Sequence, residues 1–221
     1  MTEWIMQNID FQYKQSEVKT LDNIFGSFRT GRSYQIFGNP DSGKSTLLAL
    51  LAGLTVCSKG FLTFAEKELT SLDRNTYRGR EVACLFQEGS LLRDSALANL
   101  EMEALLSSGK SDKEELTKVL LSVGLQKKQL NLPLNKLSQK DQQLVTLAKL
   151  LAKKTAQLIL VDEPEKVFSE CGVFFAMERL RRHCLQQEKC LLFTTQTTQS
   201  VKFADELWGL NGGKLLFIKE Q

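Results

Sequence analysis

From Trp4 to Tyr13 apolar and polar residues alternate loosely, with the period of a half-buried strand. Ser33-Tyr34-Gln35-Ile36-Phe37 is a short strand ending at Gly38, and Lys44 to Leu54 then reads as an apolar helix stopped near Gly53. Strand, glycine loop and helix make a βα unit. Between Gln87 and Asn135 the texture is helical only. Ser111 and Glu114 have the spacing of a capping box, in which the serine accepts from an orphan N–H and the glutamate reaches back. Behind them Leu116, Val119, Leu120 and Val123 share one face, and Gly124 stands where a helix stop is expected. From Ala156 the βα alternation returns, with a buried strand at 157–161, a helix from about Val173 to Gln187, and a strand from Cys190 to Phe193. Leu207 to Ile218, around Asn211-Gly212-Gly213, reads as a hairpin. Strands alternating with helices predict an α/β fold on a parallel sheet, with the middle block as a helical subdomain.

Composition narrows the class. The chain has 221 residues and no Pro/Gly/Ser-rich linker or repeat, so one domain with an inserted subdomain is expected. A 42% hydrophobic content supports a buried core. The net charge of +3 is too mild to argue for nucleic acid or a membrane surface. The first ten residues have neither a basic n-region nor an apolar h-region, so no secretion signal is expected, and no run approaches the length of a bilayer span. Cys57, Cys84, Cys171, Cys184 and Cys190 form no C-x-x-C pair, and His183 is the single histidine. That pattern disfavours a disulfide framework or a zinc site and predicts free, mostly buried thiols in a reducing compartment.

Two stretches carry chemistry. Gly38-Asn39-Pro40-Asp41-Ser42-Gly43-Lys44-Ser45, followed by Thr46, is a full match to G-x-x-x-x-G-K-[ST] between a predicted strand and helix. Such a loop turns successive backbone N–H groups inward around phosphate oxygens at a helix N-terminus. Lys44 is expected to reach the β- and γ-phosphates and Ser45 to coordinate Mg²⁺. Leu158-Ile159-Leu160-Val161-Asp162-Glu163-Pro164 ends an apolar strand in two carboxylates. Asp162 is placed to hold the metal shell, and Glu163 to orient or deprotonate an attacking water.

With these residues the whole chain resembles the ATP-binding subunits of ABC transporters. Val18-Lys19-Thr20-Leu21 and the stretch from Cys84 through Gln87 to Leu92 resemble the lipoprotein-releasing, macrolide-exporting and antimicrobial-peptide-handling group, and the cell-division ATPase is similar too. The resemblance implies a P-loop ATPase core at 1–86 and 156–221, with an antiparallel N-terminal β part, and a helical subdomain at approximately 87–155. It implies ATP and Mg²⁺ as ligands, with Tyr13 stacking on adenine and Gln87 as the glutamine that touches Mg²⁺ or the attacking water. It also implies a second ABC ATPase subunit as dimer partner, separate transmembrane permease subunits, no nucleic acid, and a cytoplasmic position on the inner face of the cell membrane. Transport of a peptide, lipoprotein or drug and a regulatory role of the cell-division type, transporting nothing, both remain open.

Three places depart from the family pattern. Where the family reads Leu-Ser-Gly-Gly-Gln, Leu137-Ser138 is followed by Gln139 and Lys140; Ser138 keeps both a helix-capping and a phosphate-facing role. Gln196 stands where the family has a histidine at the γ-phosphate, and Ser169 where it has an aspartate. Secure ATP binding and slow hydrolysis are the expectation.

Overall fold

In a computed structural model, residues 1–86, 91–197 and 201–220 are described, Val201 by its backbone alone. Strands β1 (Glu3–Phe11), β2 (Leu21–Arg29), β4 (Lys59–Phe64) and β5 (Lys67–Glu68) form a four-stranded antiparallel sheet in the order β2-β1-β4-β5. A second sheet has the order β10-β9-β3-β8-β7-β6, from β3 (Ser33–Phe37), β6 (Val82–Leu85), β7 (Leu158–Asp162), β8 (Cys190–Thr195), β9 (Glu206–Asn211) and β10 (Lys214–Glu220). Its neighbours run parallel except for the β9–β10 hairpin. The α/β class and the antiparallel N-terminal part are as expected.

The parallel sheet divides two cores. Leu158, Leu160, Cys190 and Leu192 face one core, with Trp4, Phe28 and helix α1 (Lys44–Leu51). Ile159, Val161, Leu191 and Phe193 face the other, with helices α5 (Gln139–Ala152) and α7 (Val173–Gln186). Strands covered on both faces have no polar side, which is why β7 and β8 read as unbroken apolar runs. Helix α1 packs in the first core and buries Leu47, Leu48, Leu50 and Leu51, while Ser45 on its other side is exposed. Helices α3 (Ala96–Ser108), α4 (Lys113–Ser122) and α5 pack on one another.

Several local readings shift. Helix α4 is capped one residue later than expected: Asp112, not Ser111, accepts from the N–H groups of Glu114 and Glu115 at 3.0 and 3.1 Å. A carboxylate beside the orphan N–H groups suits the positive end of the helix dipole better than a hydroxyl. Helix α1 stops at Leu51 rather than Leu54, and Gly53 takes a left-handed φ of 67° beyond it. Strand β8 continues through Thr194 and Thr195, both fully buried. All five thiols are free, yet only Cys184 and Cys190 are buried, while Cys57 and Cys171 are partly covered and Cys84 is exposed. Helix α2 (Arg74–Arg80) is a short element with three arginines among its seven residues and gave no apolar period to read. Among the described residues no helix is long and apolar enough to cross a membrane.

A candidate nucleotide site at the carboxyl edge of the parallel sheet

Strands β7, β8 and β3 are consecutive neighbours, and their register pairs Asp162 with Thr194 and Phe37 with Thr195. The loop after β3, the acidic end of β7 and the end of β8 therefore open at one carboxyl edge, where open α/β sheets bind ligands. A cavity of about 500 Å³ lies there, lined by Tyr13, Gly43, Lys44, Ser45, Thr46 and Glu163 among others.

The loop is folded by its glycines. Gly43 has φ 99° and directly precedes α1, and a Cβ there would stand 2.8 Å from the carbonyl oxygen of Thr20. At Gly38 a Cβ would stand 2.4 Å from the Leu210 carbonyl, so strand β9 closes the position to any side chain. Lys44 is 4% exposed and donates to the Gly38 and Asn39 carbonyls at 2.8 and 2.7 Å. Burial lowers its pKa, with the charges of Glu163 and Asp162 opposing the shift. Ser42 is buried and its hydroxyl has no hydrogen-bond partner among the described residues. Asn39, Pro40 and Asp41 lie exposed at the loop tip, with Asp41 at φ 59°.

The two carboxylates are held by different means. Asp162 accepts from Ser45 Oγ at 2.7 Å through Oδ2 and from Thr194 Oγ1 at 2.5 Å through Oδ1. Glu163 turns out of the strand with φ 49°, an uncommon conformation for a residue with a Cβ, and Pro164 then opens the short helix α6 (Pro164–Val167). Its backbone N–H donates to Thr194 Oγ1 at 3.1 Å. Its side chain accepts from Gln196 Nε2 at 2.7 Å, pairs with Lys166, and lies 3.9 Å from Lys44 Nζ. Desolvation pushes Glu163 up, but the hydrogen bond from Gln196, the contact with Lys166 and the two lysine charges outweigh it, so its carboxyl titrates below the ordinary range.

The structure therefore brings together Lys44, Ser45, Thr46, Asp162, Glu163 and Gln196. Tyr13 joins them at the rim, half-exposed, with its hydroxyl 2.9 Å from Thr46 Oγ1. Gln87 lies outside the described residues. Ser138 does not line this cavity. It caps α5, accepting from Asp141 N at 3.1 Å, and donates its own hydroxyl to Asp141 Oδ2 at 2.7 Å. Asp141 fills the fifth place of the Leu-Ser-Gly-Gly-Gln pattern, and Gln129 donates to the same carboxylate oxygen at 2.8 Å. Gln139 and Lys140 are exposed in the first turn. Ser169 is tied back to α5: Gln143 Nε2 donates to its hydroxyl at 3.3 Å, while Gln143 Oε1 accepts from Glu170 N and Cys171 N. Thr194, Lys166 and Gln143 were not singled out in the sequence, where none belongs to a contiguous motif.

The model of the family described as ABC transporter matches residues 21–166. The lipoprotein-releasing system ATP-binding protein LolD of Wigglesworthia glossinidia brevipalpis is 32% identical over 219 residues, covering 95% of this chain and 94% of that protein. LolD of Rickettsia felis is 30% identical and covers 97% of both. The glutathione/L-cysteine transport system ATP-binding/permease protein CydC of Haemophilus influenzae is 28% identical over 95% of this chain, which spans 37% of its length. Among solved structures, the dimeric ATP-binding cassette MJ0796 bound to ADP and Pi superposes with a TM-score of 0.86 at 22% identity, covering 99% of this chain and 97% of its own. The fold, the loop from Gly38 to Ser45 and these relatives lead to one conclusion: the chain belongs to the ABC transporter family, as an ATP-binding domain.

Proposed function

We propose that ATP is bound and cleaved at the cavity around Lys44, in an ATPase subunit that drives separate membrane-embedded partners. The observation that carries this reading is the meeting of Lys44, Ser45, Asp162 and Glu163 at one sheet edge. Lys44 and the loop N–H groups take the β- and γ-phosphates, Tyr13 stacks on adenine, and Glu163 and Gln196 face the attacking water. A serine hydroxyl and a carboxylate in contact at 2.7 Å are the hard oxygen donors that magnesium takes, so Ser45 and Asp162 would hold it, and the family resemblance adds Gln87 as a further ligand. The bound ion would offset phosphate charge. Residues 1–86 and 156–221 act as the ATPase core and 87–155 as the helical subdomain that meets the permease at the inner face of the cell membrane.

A second ATPase subunit completes the site by offering its signature to this Lys44 loop, while Ser138 of this chain faces the partner's loop. Gln139 and Lys140 replace backbone that would approach the γ-phosphate, and Asp141 adds a carboxylate already holding the Ser138 hydroxyl. Hydrolysis at the half-site built on Ser138 is therefore slow. Likeness to the LolD proteins favours lipoprotein or peptide cargo over the cell-division reading. Direct nucleotide binding tests the site: Lys44→Ala weakens ATP affinity at least tenfold, since it removes the β/γ-phosphate cation. Unchanged affinity would place the nucleotide elsewhere.

A further inference from the structure

Glu163 is unusually crowded for a residue assigned to water. Its side chain is 4% exposed; Oε1 accepts from Gln196 Nε2 at 2.7 Å, and the Lys166 ammonium lies against Oε2 as an ion pair without hydrogen-bond geometry. Lys44 Nζ lies beyond Oε1 at 3.9 Å. The backbone that carries the carboxylate is fixed. It sits at φ 49°, its N–H is tied to Thr194, and Pro164 follows. A general base must present a lone pair along the line to the proton it takes. Here Gln196 holds one oxygen and the Lys166 ammonium lies against the other.

Of these three neighbours, Lys44 belongs to the phosphate loop and Gln196 directly follows β8. Lys166 has a different character. It lies in α6, three residues after Glu163, and the left-handed turn at that glutamate brings the pair together. Its side chain is 51% exposed and lines the mouth of the same cavity. The pairing with Glu163 raises the Lys166 pKa, so the ammonium stays charged while it is there.

We propose that Lys166 is a restraining residue for hydrolysis: its ammonium occupies Glu163 Oε2 where the attacking water must bind, and turnover waits until the lysine lets go. This rests on the proposed role of Glu163 at an ATP site. Because the lysine end of the pair stands in solvent, opening it is cheap, so the restraint slows the reaction without abolishing it. The lysine acts through Glu163 and leaves the phosphate contacts of Lys44 alone, so it changes turnover rather than affinity.

The test is steady-state ATPase kinetics of the full chain with its membrane partner, beside nucleotide binding with a fluorescent ATP analogue. Lys166→Ala and Lys166→Met raise kcat about three- to tenfold with KM and nucleotide affinity unchanged. Lys166→Arg, which keeps the cation, stays near the parent rate, a pattern that a merely structural role would not produce. In a Glu163→Gln background the gain disappears. An unchanged kcat in Lys166→Ala overturns the proposal, and a fall overturns it too, because the lysine would then be a ligand of the γ-phosphate. Failure of the parent to bind the analogue would instead sink the ATP-site reading, so the two failures are distinguishable.

Discussion

Thr194 is the most economical place to perturb the site. Its hydroxyl donates to Asp162 Oδ1 at 2.5 Å and accepts the Glu163 N–H at 3.1 Å, and the residue is fully buried. Thr194→Val keeps the branched shape that β8 packs and removes both bonds. A hydrogen bond to a charged group contributes about 1.5–3 kcal/mol, and a buried N–H left without a partner costs about 1–3 kcal/mol. The methyl group gained by valine offsets part of this, so a loss near 3 kcal/mol is expected. For a chain of this length that corresponds to a fall in Tm of about 6–12 °C. Urea unfolding without nucleotide measures the loss, and Thr194→Ser, which keeps both bonds, restores most of it. Mg-ATP affinity falls as well, because Asp162 then keeps Ser45 alone. A loss under about 1 kcal/mol would mean that water replaces the threonine hydroxyl and that Asp162 is positioned by Ser45 and the strand.

Replacing Gln139 and Lys140 together with glycine raises ATPase activity in the presence of the membrane partner, by returning bare backbone to the approach of the γ-phosphate; a lower rate both there and in Lys140→Ala would make Lys140 a working phosphate ligand. His183 supplies a pH dependence: burial, with a smaller contribution from Lys189, lowers its pKa from 6.5 to about 4. The unfolded chain binds that proton first, so the stability from a neutral His183 is complete above about pH 6.5 and is lost as pH falls towards 4. Urea midpoints across that window decline less steeply for His183→Gln, and equal slopes would refute the assignment.

The parts of the site that are contiguous in the chain were legible in the sequence, because a phosphate loop needs its glycines, lysine and serine at fixed spacing. The ends of β7 and β8 were legible for a related reason: unbroken apolar runs identify strands covered on both faces, and the residues after them emerge at one edge. Thr194 was not, since a threonine in a buried strand reads as ordinary strand packing until register sets it against Asp162. The same holds for Lys166, whose reach to Glu163 depends on the left-handed turn at that glutamate. Gln35 shows the limit from the other side. It reads as one polar position in an apolar strand, yet its amide donates to Thr195 Oγ1 at 2.6 Å and to the Thr197 carbonyl at 3.0 Å, fixing the turn that carries Gln196.

Gln143 joins two parts of the molecule that sequence keeps 26 residues or more apart. One amide takes the N–H groups of Glu170 and Cys171 and reaches the hydroxyl of Ser169, so three bonds hold the segment after α6 to helix α5. The helix that begins at Ser138 cannot slide past that segment without breaking them. A push on the start of α5 is therefore expected to reach, over a handful of residues, the backbone that leads back to Glu163 past the buried Phe168. On the proposed reading, the signature end of α5 and the carboxylate assigned to water are linked through a single glutamine.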